Sequence, residues 1–93
     1  MENTGKKLSK NVVIVNTLGL HARTAAQIAK SVQNRKSSVW IVKDGVKADA
    51  SSIVDVLTLA CEKGSQITIR IDDRSDLEIL HHLTKLVESG FGE

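Results

Sequence analysis

Residues 67–72 read Ile-Thr-Ile-Arg-Ile-Asp, the clearest strict alternation in the chain. At the two-residue period of a strand, Ile67, Ile69 and Ile71 face one way while Thr68, Arg70 and Asp72 face the other. A strand with one apolar face belongs to a sheet with one wet side, and the other side must be covered. Three more segments fit the same sheet. Val12-Val13-Ile14-Val15 is a β-branched run too short for a helix. Ser38 to Lys43 places Val39 and Ile41 on one face and Trp40 and Val42 on the other. Asp44-Gly45 then supplies a hairpin turn, because a type I′ turn needs positive φ at both central positions. Val46, Ala48 and Ala50 alternate with Lys47 and Asp49 to give the returning strand.

The cover comes from three amphipathic segments. Ala25, Ile28, Ala29 and Val32 recur at i, i+3, i+4 and i+7, leaving Arg23, Gln27 and Lys30 on the wet side. Ile53, Val56, Leu57 and Ala60 repeat that spacing, with Lys63 in the expected last turn and Gly64 as the stop. Ser75-Asp76-Leu77-Glu78 fits a capping box, which opens a last helix with Leu80, Leu83 and Val87 inward and Gly90 at its end. The predicted order is β-α-β-β-α-β-α, an α+β fold with three helices over one face of an open sheet. Ninety-three residues make one domain. We assign residues 1–9, a polar stretch, to a flexible leader and residues 10–93 to the domain. With one tryptophan, one phenylalanine and no tyrosine, the core rests on Val, Ile, Leu and Ala.

Several function classes are disfavoured at this stage. The formal charge is only +2 and the bases are interspersed, with Lys6–Lys7 and Arg35–Lys36 as the basic doublets, so no nucleic-acid stripe appears. No apolar run approaches the roughly 20 residues of a bilayer span, and the polar N-terminus lacks the core of a signal peptide. Cys61 is the single thiol, which suits a reducing compartment and a packing role. A cytoplasmic domain without membrane insertion is expected. His81-His82 are adjacent, hence about 100° apart on a helix, a poor geometry for one ion, and no third ligand is near in sequence. They read as surface histidines, and neither metal nor cofactor is expected. Paired carboxylates and a nucleotide loop are lacking too, which argues against a stand-alone enzyme.

One constellation carries chemistry. Gly19-Leu20-His21-Ala22-Arg23 lies where a strand gives way to a helix. A helix start presents unpaired backbone N–H groups and the positive end of the dipole, so it suits an anion. An imidazole there attacks phosphorus in its neutral form, and the phosphoryl oxygens then meet N–H donors. Arg23 adds a planar donor fork, and Gly19 permits close approach. Spacing alone gives an anion site and no more; a surface or capping histidine is the plainer reading of it.

Asn16-Thr17-Leu18-Gly19-Leu20-His21-Ala22-Arg23-Thr24-Ala25 closely resembles the phosphohistidine motif N-x-L-G-[LM]-H-A-R-P-A of the HPr family, phosphocarriers of the phosphoenolpyruvate-dependent sugar phosphotransferase system. The likeness runs from about Lys10 to Glu93. Ala48-Asp49-Ala50-Ser51-Ser52-Ile53 resembles the family's second landmark, a serine opening the second helix, and Ser52 follows His21 by 31 residues. Lys63-Gly64-Ser65-Gln66-Ile67-Thr68-Ile69 resembles its K-G-x-x-[IV]-T-I strand, and Gly90-Phe91-Gly92-Glu93 the tail of some bacterial members. The resemblance implies an open-faced β-sandwich with sheet order 1-4-2-3. It also implies phosphorylation of His21 on Nδ1 by enzyme I, with Arg23 steadying the group. Delivery would go to an enzyme IIA domain or a regulatory target, making the chain a carrier and not a stand-alone catalyst. Ser52 is the position at which an HPr kinase/phosphorylase acts in many members; as a bland alternative, Ser52-x-x-Asp55 fits a helix cap.

Partner contacts are expected from Ala26 and Lys30 of the first helix and from Ile53, Val54 and Leu57 of the second. Of these, Ile53 and Leu57 are assigned to the core stripe and Val54 to the surface, while Asp55 weakens the basic rim. The protein is expected to act as a monomer. Thr24 replaces the family's proline. It restores a backbone donor and adds a hydroxyl, so a phosphate gains a contact, the helix start loosens, or the change is neutral drift. A nitrogen-branch or purely regulatory paralogue, and a non-phosphorylated anion-binding module, are the competing readings.

Overall fold

The β-branched runs pair as their alternation demands. The computed structural model describes residues 8–93. Strands β1 (Ser9–Val13), β2 (Val39–Lys43), β3 (Val46–Asp49) and β4 (Gln66–Ile71) form one antiparallel sheet in the order β1-β4-β2-β3. Helices α1 (Ala22–Ser31), α2 (Ile53–Thr58) and α3 (Leu77–Glu88) complete the predicted order, with 3-10 turns at Arg74–Asp76 and Gly90–Gly92. The expected leader over residues 1–9 lies outside the described residues as far as Lys7, and Ser9 already pairs with Arg70 in β1.

Register puts the apolar positions on one face. Ile41 lies opposite Ile69 on one side and Ala48 on the other, and Val12 lies opposite Ile67. All five are buried, and they pack with Ala25, Ile28 and Val32 of α1, Val56 of α2, and Leu80, Leu83 and Val87 of α3. The opposite face is wet. There the Lys47 ammonium sits 4.3 Å from the Trp40 ring centroid. Trp40 Nε1–H also donates to Asp72 at 3.2 Å.

Four expectations need correction. The alternation groups Val46 with Ala48 and Ala50, but only the alanines are buried; Val46 is 59 % exposed, because the Asp44-Gly45 turn carries it to the hairpin tip. The α2 helix is only six residues long, and Lys63 and Gly64 fall in the turn beyond it. Ala60 leaves the helix at φ +52, and Lys43 Nζ caps the end by donating to the carbonyls of Leu59 and Ala60. The α2 stripe is also rotated. Val56 and Leu59 point inward, while Ile53 and Leu57 stay 39 % and 37 % exposed. At about 100° per residue, Ile53 sits roughly 90° and Leu57 roughly 130° from the inward direction. Lastly, the Ser75–Glu78 capping box does not form. Asp73 accepts from Ser75 N–H to cap the 3-10 turn, and α3 begins after Asp76. The buried Asp76 carboxylate instead accepts from Lys36 N–H at 2.8 Å and Ser37 N–H at 3.0 Å, pinning the loop before β2. The last helix keeps Leu80, Leu83 and Val87 inward, and Gly90 ends it at φ +71.

No helix among the described residues is long and apolar enough to cross a membrane. Nor do the described residues group His, Cys, Asp or Glu into a metal site; His81 and His82 lie exposed on α3.

Candidate functional site at the start of the first helix

The loop from Ile14 to His21 is tied to the molecule by main chain. Ile14 N–H donates to Ser65 O and Gly64 N–H to Ile14 O, so the chain stays beside β4 after β1 ends. Gly19 turns the loop at φ +67, where a Cβ would stand 2.3 Å from the Cys61 carbonyl oxygen. Only glycine fits both the backbone angle and the contact. The next amide, Leu20 N–H, donates to that same Cys61 carbonyl at 2.9 Å. Cys61 itself is buried, and desolvation pushes its thiol up, which leaves it protonated and packed.

His21 is the N-cap of α1, in extended conformation at φ −126 and ψ −174. Its Nδ1 accepts from Arg23 N–H at 3.3 Å, and Thr24 Oγ1 accepts from His21 N–H at 2.9 Å, closing a capping box. The other ring nitrogen faces Glu93: Nε2 and Oε2 are 2.9 Å apart. A carboxylate only accepts and a backbone N–H only donates. The partners therefore fix the tautomer, with the proton on Nε2 and the lone pair on Nδ1.

Glu93 reaches His21 because the tail turns left-handed. Gly90, Phe91 and Gly92 all have positive φ, Phe91 is buried, and Glu93 N–H donates to Gly90 O at 3.0 Å. Asn16 completes the arrangement. Its amide donates to Gly19 O at 2.8 Å and to Glu93 Oε1 at 2.9 Å, while its own Oδ1 is buried without a partner among the described residues. The Asn16 bond, with smaller help from His21 and the Arg23 charge, holds the Glu93 carboxyl below the usual range. The Arg23 side chain projects into an open groove of about 660 Å³, lined also by Thr17, Leu18, Gln27 and Phe91. Its guanidinium makes no hydrogen bond or ion pair among the described residues.

The other predicted residues lie apart from His21 itself. Ala26, Lys30 and Ile53 line one shallow groove between α1 and α2. Val54, 73 % exposed, and Leu57 extend the apolar surface along α2. Ser52 caps α2, its Oγ accepting from Asp55 N–H at 3.1 Å, and Asp55 in turn accepts from Asp49 N–H. Sequence reasoning missed the two residues that orient the imidazole. Asn16 stands inside the quoted motif, which is a usable signal. Glu93 stands in the quoted tail, but its approach to His21 depends on the tail's left-handed turn.

Chemically, the arrangement offers an imidazole nitrogen with its lone pair at a helix N-terminus, and a guanidinium beside it. Residues 8–89 match the family described as the PTS HPr component phosphorylation site. The phosphocarrier protein HPr of Neisseria meningitidis is 34 % identical over 86 residues, covering 92 % of this chain and 97 % of the relative. The phosphocarrier protein NPr of Proteus mirabilis is 36 % identical over 85 residues, covering 90 % and 94 %. Among solved structures, HPr-C-His from Thermoanaerobacter tengcongensis superposes with a TM-score of 0.85 at 32 % identity, over 91 % of this chain and 96 % of that one. The chain belongs to the HPr phosphocarrier family of the phosphotransferase system.

Proposed function

We propose that His21 is the phosphoryl-bearing residue of this carrier, charged by phospho-enzyme I and discharged to an enzyme IIA domain or a regulatory target. The observation that carries this reading is the division of labour between the two ring nitrogens. Nδ1 has its lone pair at the helix N-terminus, and Nε2 has its proton on a carboxylate. In the transfer, the Nδ1 pair forms a bond to phosphorus while the donor's N–P bond breaks, its electron pair returning to the donor imidazole. The ring gains positive charge as it does so, and Glu93 accepts the Nε2–H bond that this strengthens. The oxygens move onto the Arg23 backbone N–H, and the guanidinium closes from the groove to share their charge. Discharge reverses each step and returns the same tautomer.

Ala26, Lys30, Ile53, Val54 and Leu57 are read as the partner surface: an exposed apolar strip with a cation on its rim, beside the reactive loop. Ser52 keeps its capping role in this reading. A phosphoryl group there would meet the helix N–H groups but also the nearby carboxylates of Asp49 and Asp55, so a kinase assay on the native chain against Ser52→Ala decides whether it is modified.

The test of the main proposal is direct. Incubation with phosphoenolpyruvate and a general enzyme I is expected to give an acid-labile phosphoryl adduct, absent in His21→Ala. An unlabelled native chain beside a competent enzyme I would favour an anion-binding module instead. The 36 % identity to an NPr keeps a nitrogen-branch carrier as the second reading. Discharge rates to IIA domains of the sugar and nitrogen branches separate the two.

A further inference from the structure

Thr24 is the third residue of α1 and fully buried, yet its hydroxyl and its backbone N–H meet the histidine in the capping box. Its hydroxyl accepts from His21 N–H at 2.9 Å and lies 3.2 Å from His21 O and 3.3 Å from Gly19 O, either of which takes its proton. The first intrahelical backbone bond runs from Ala25 N–H to His21 O at 2.8 Å. The Thr24 N–H therefore precedes the helical ladder, and in the capping box it is directed at the His21 side chain. Arg23 N–H points at the same ring, with Nδ1 as its acceptor.

We infer that Thr24 donates its backbone N–H to a phosphoryl oxygen when His21 is charged, acting as a second main-chain donor beside Arg23. The inference rests on the reading of His21 as the phosphoryl-bearing residue. Forming the N–P bond consumes the Nδ1 lone pair, so both amides lose the acceptor they hold in the uncharged protein. A buried donor left unpaired is costly, and the phosphoryl oxygens lie one bond beyond Nδ1. A proline at this position would lack the donor altogether. Thr24 thus shifts the carrier toward holding its phosphoryl group, a positioning role played by main chain and left unchanged by any side chain that keeps the N–H.

Two substitutions isolate the donor. Thr24→Ala removes the hydroxyl and keeps the N–H; Thr24→Pro removes both and still suits a first helical turn. The measurement is the fraction of His21 phosphorylated at equilibrium with enzyme I at a fixed phosphoenolpyruvate-to-pyruvate ratio. Thr24→Pro is expected to fall about tenfold below Thr24→Ala in that equilibrium constant, the scale of one hydrogen bond to a charged group. Equal constants for the two variants, in either direction, would overturn the inference. An independent readout needs no variant: the amide proton of Thr24 should move downfield with that of Arg23 when the native chain is phosphorylated. A Thr24 amide that stays in place also overturns it. If the native chain takes no label at all, the parent reading of His21 has failed, and this one with it.

Discussion

Helices α1 and α2 begin alike and end differently. Each has an extended N-cap whose side chain accepts a backbone N–H: His21 from Arg23, Ser52 from Asp55. Yet α1 runs ten residues and buries Thr24, Ala25 and Ile28, whereas α2 runs six and buries only Val56. The cap of α1 is also held from outside the helix, through Glu93, Asn16 and the Gly19 turn. That of α2 is held by its own first turn and by its neighbour in sequence, Asp49 at the end of β3. The difference teaches that a cap oriented by distant parts of the fold can do more than the local stabilisation of one that is not. In the proposed function, the rigid start would serve transfer of a group, and the short helix with uncovered apolar residues would serve contact with a partner.

Substitutions can press on that contrast. The largest effect is expected from Gly19→Ala, because the added methyl meets backbone at a positive φ. It should cost about 3 kcal/mol or more in denaturant unfolding. Ile28→Ala, on the buried face of α1, is expected to cost about 2–5 kcal/mol. On the α2 side, Ser52→Ala should cost only about 1 kcal/mol, the worth of one cap. A larger loss would mean that α2 is held as firmly as α1. Val54→Ala should change stability by less than about 0.5 kcal/mol, while raising the KM for phosphoryl transfer from enzyme I. An unchanged KM would remove α2 from the docking surface.

The smallest effect concerns pH. The folded protein holds the Glu93 carboxyl below its usual range, so its contribution is present above the unfolded value and fades as pH falls through the lowered folded one. Carboxyl carbon shifts should therefore show Glu93 titrating at a lower pH than an ordinary glutamate. Asn16→Ala should move that midpoint back up, since the Asn16 bond is the main cause. A midpoint in the ordinary range for the native chain would mean that Asn16 does not hold the Glu93 carboxylate.

Much of this was legible in the chain itself. The Ile67–Ile69–Ile71 alternation and the Asp44-Gly45 turn dictated the sheet, because period and turn chemistry are local. The α1 stripe was equally plain. The α2 stripe misled because a six-residue helix can rotate without breaking its pattern, and an i, i+3, i+4 spacing does not say which edge points inward. Asp76 was mistaken for part of a capping box because its true partners, Lys36 and Ser37, lie some 40 residues away in sequence. Glu93 was hidden for the same reason. At the site, His21, Arg23 and Asn16 all stand in the motif, but the contacts that join Asn16 and Glu93 to the imidazole could not be read from it.

The Cys61 carbonyl has a consequence for how such a protein can diversify. It binds the loop before His21 through Leu20 N–H just after the chain leaves α2, so the span from the apolar strip to the His21 backbone is set by main chain. Side chains on α2 can then be exchanged to suit a new partner while the imidazole stays where it was. Recognition and reaction are free to evolve separately, because the distance between them is written in the backbone.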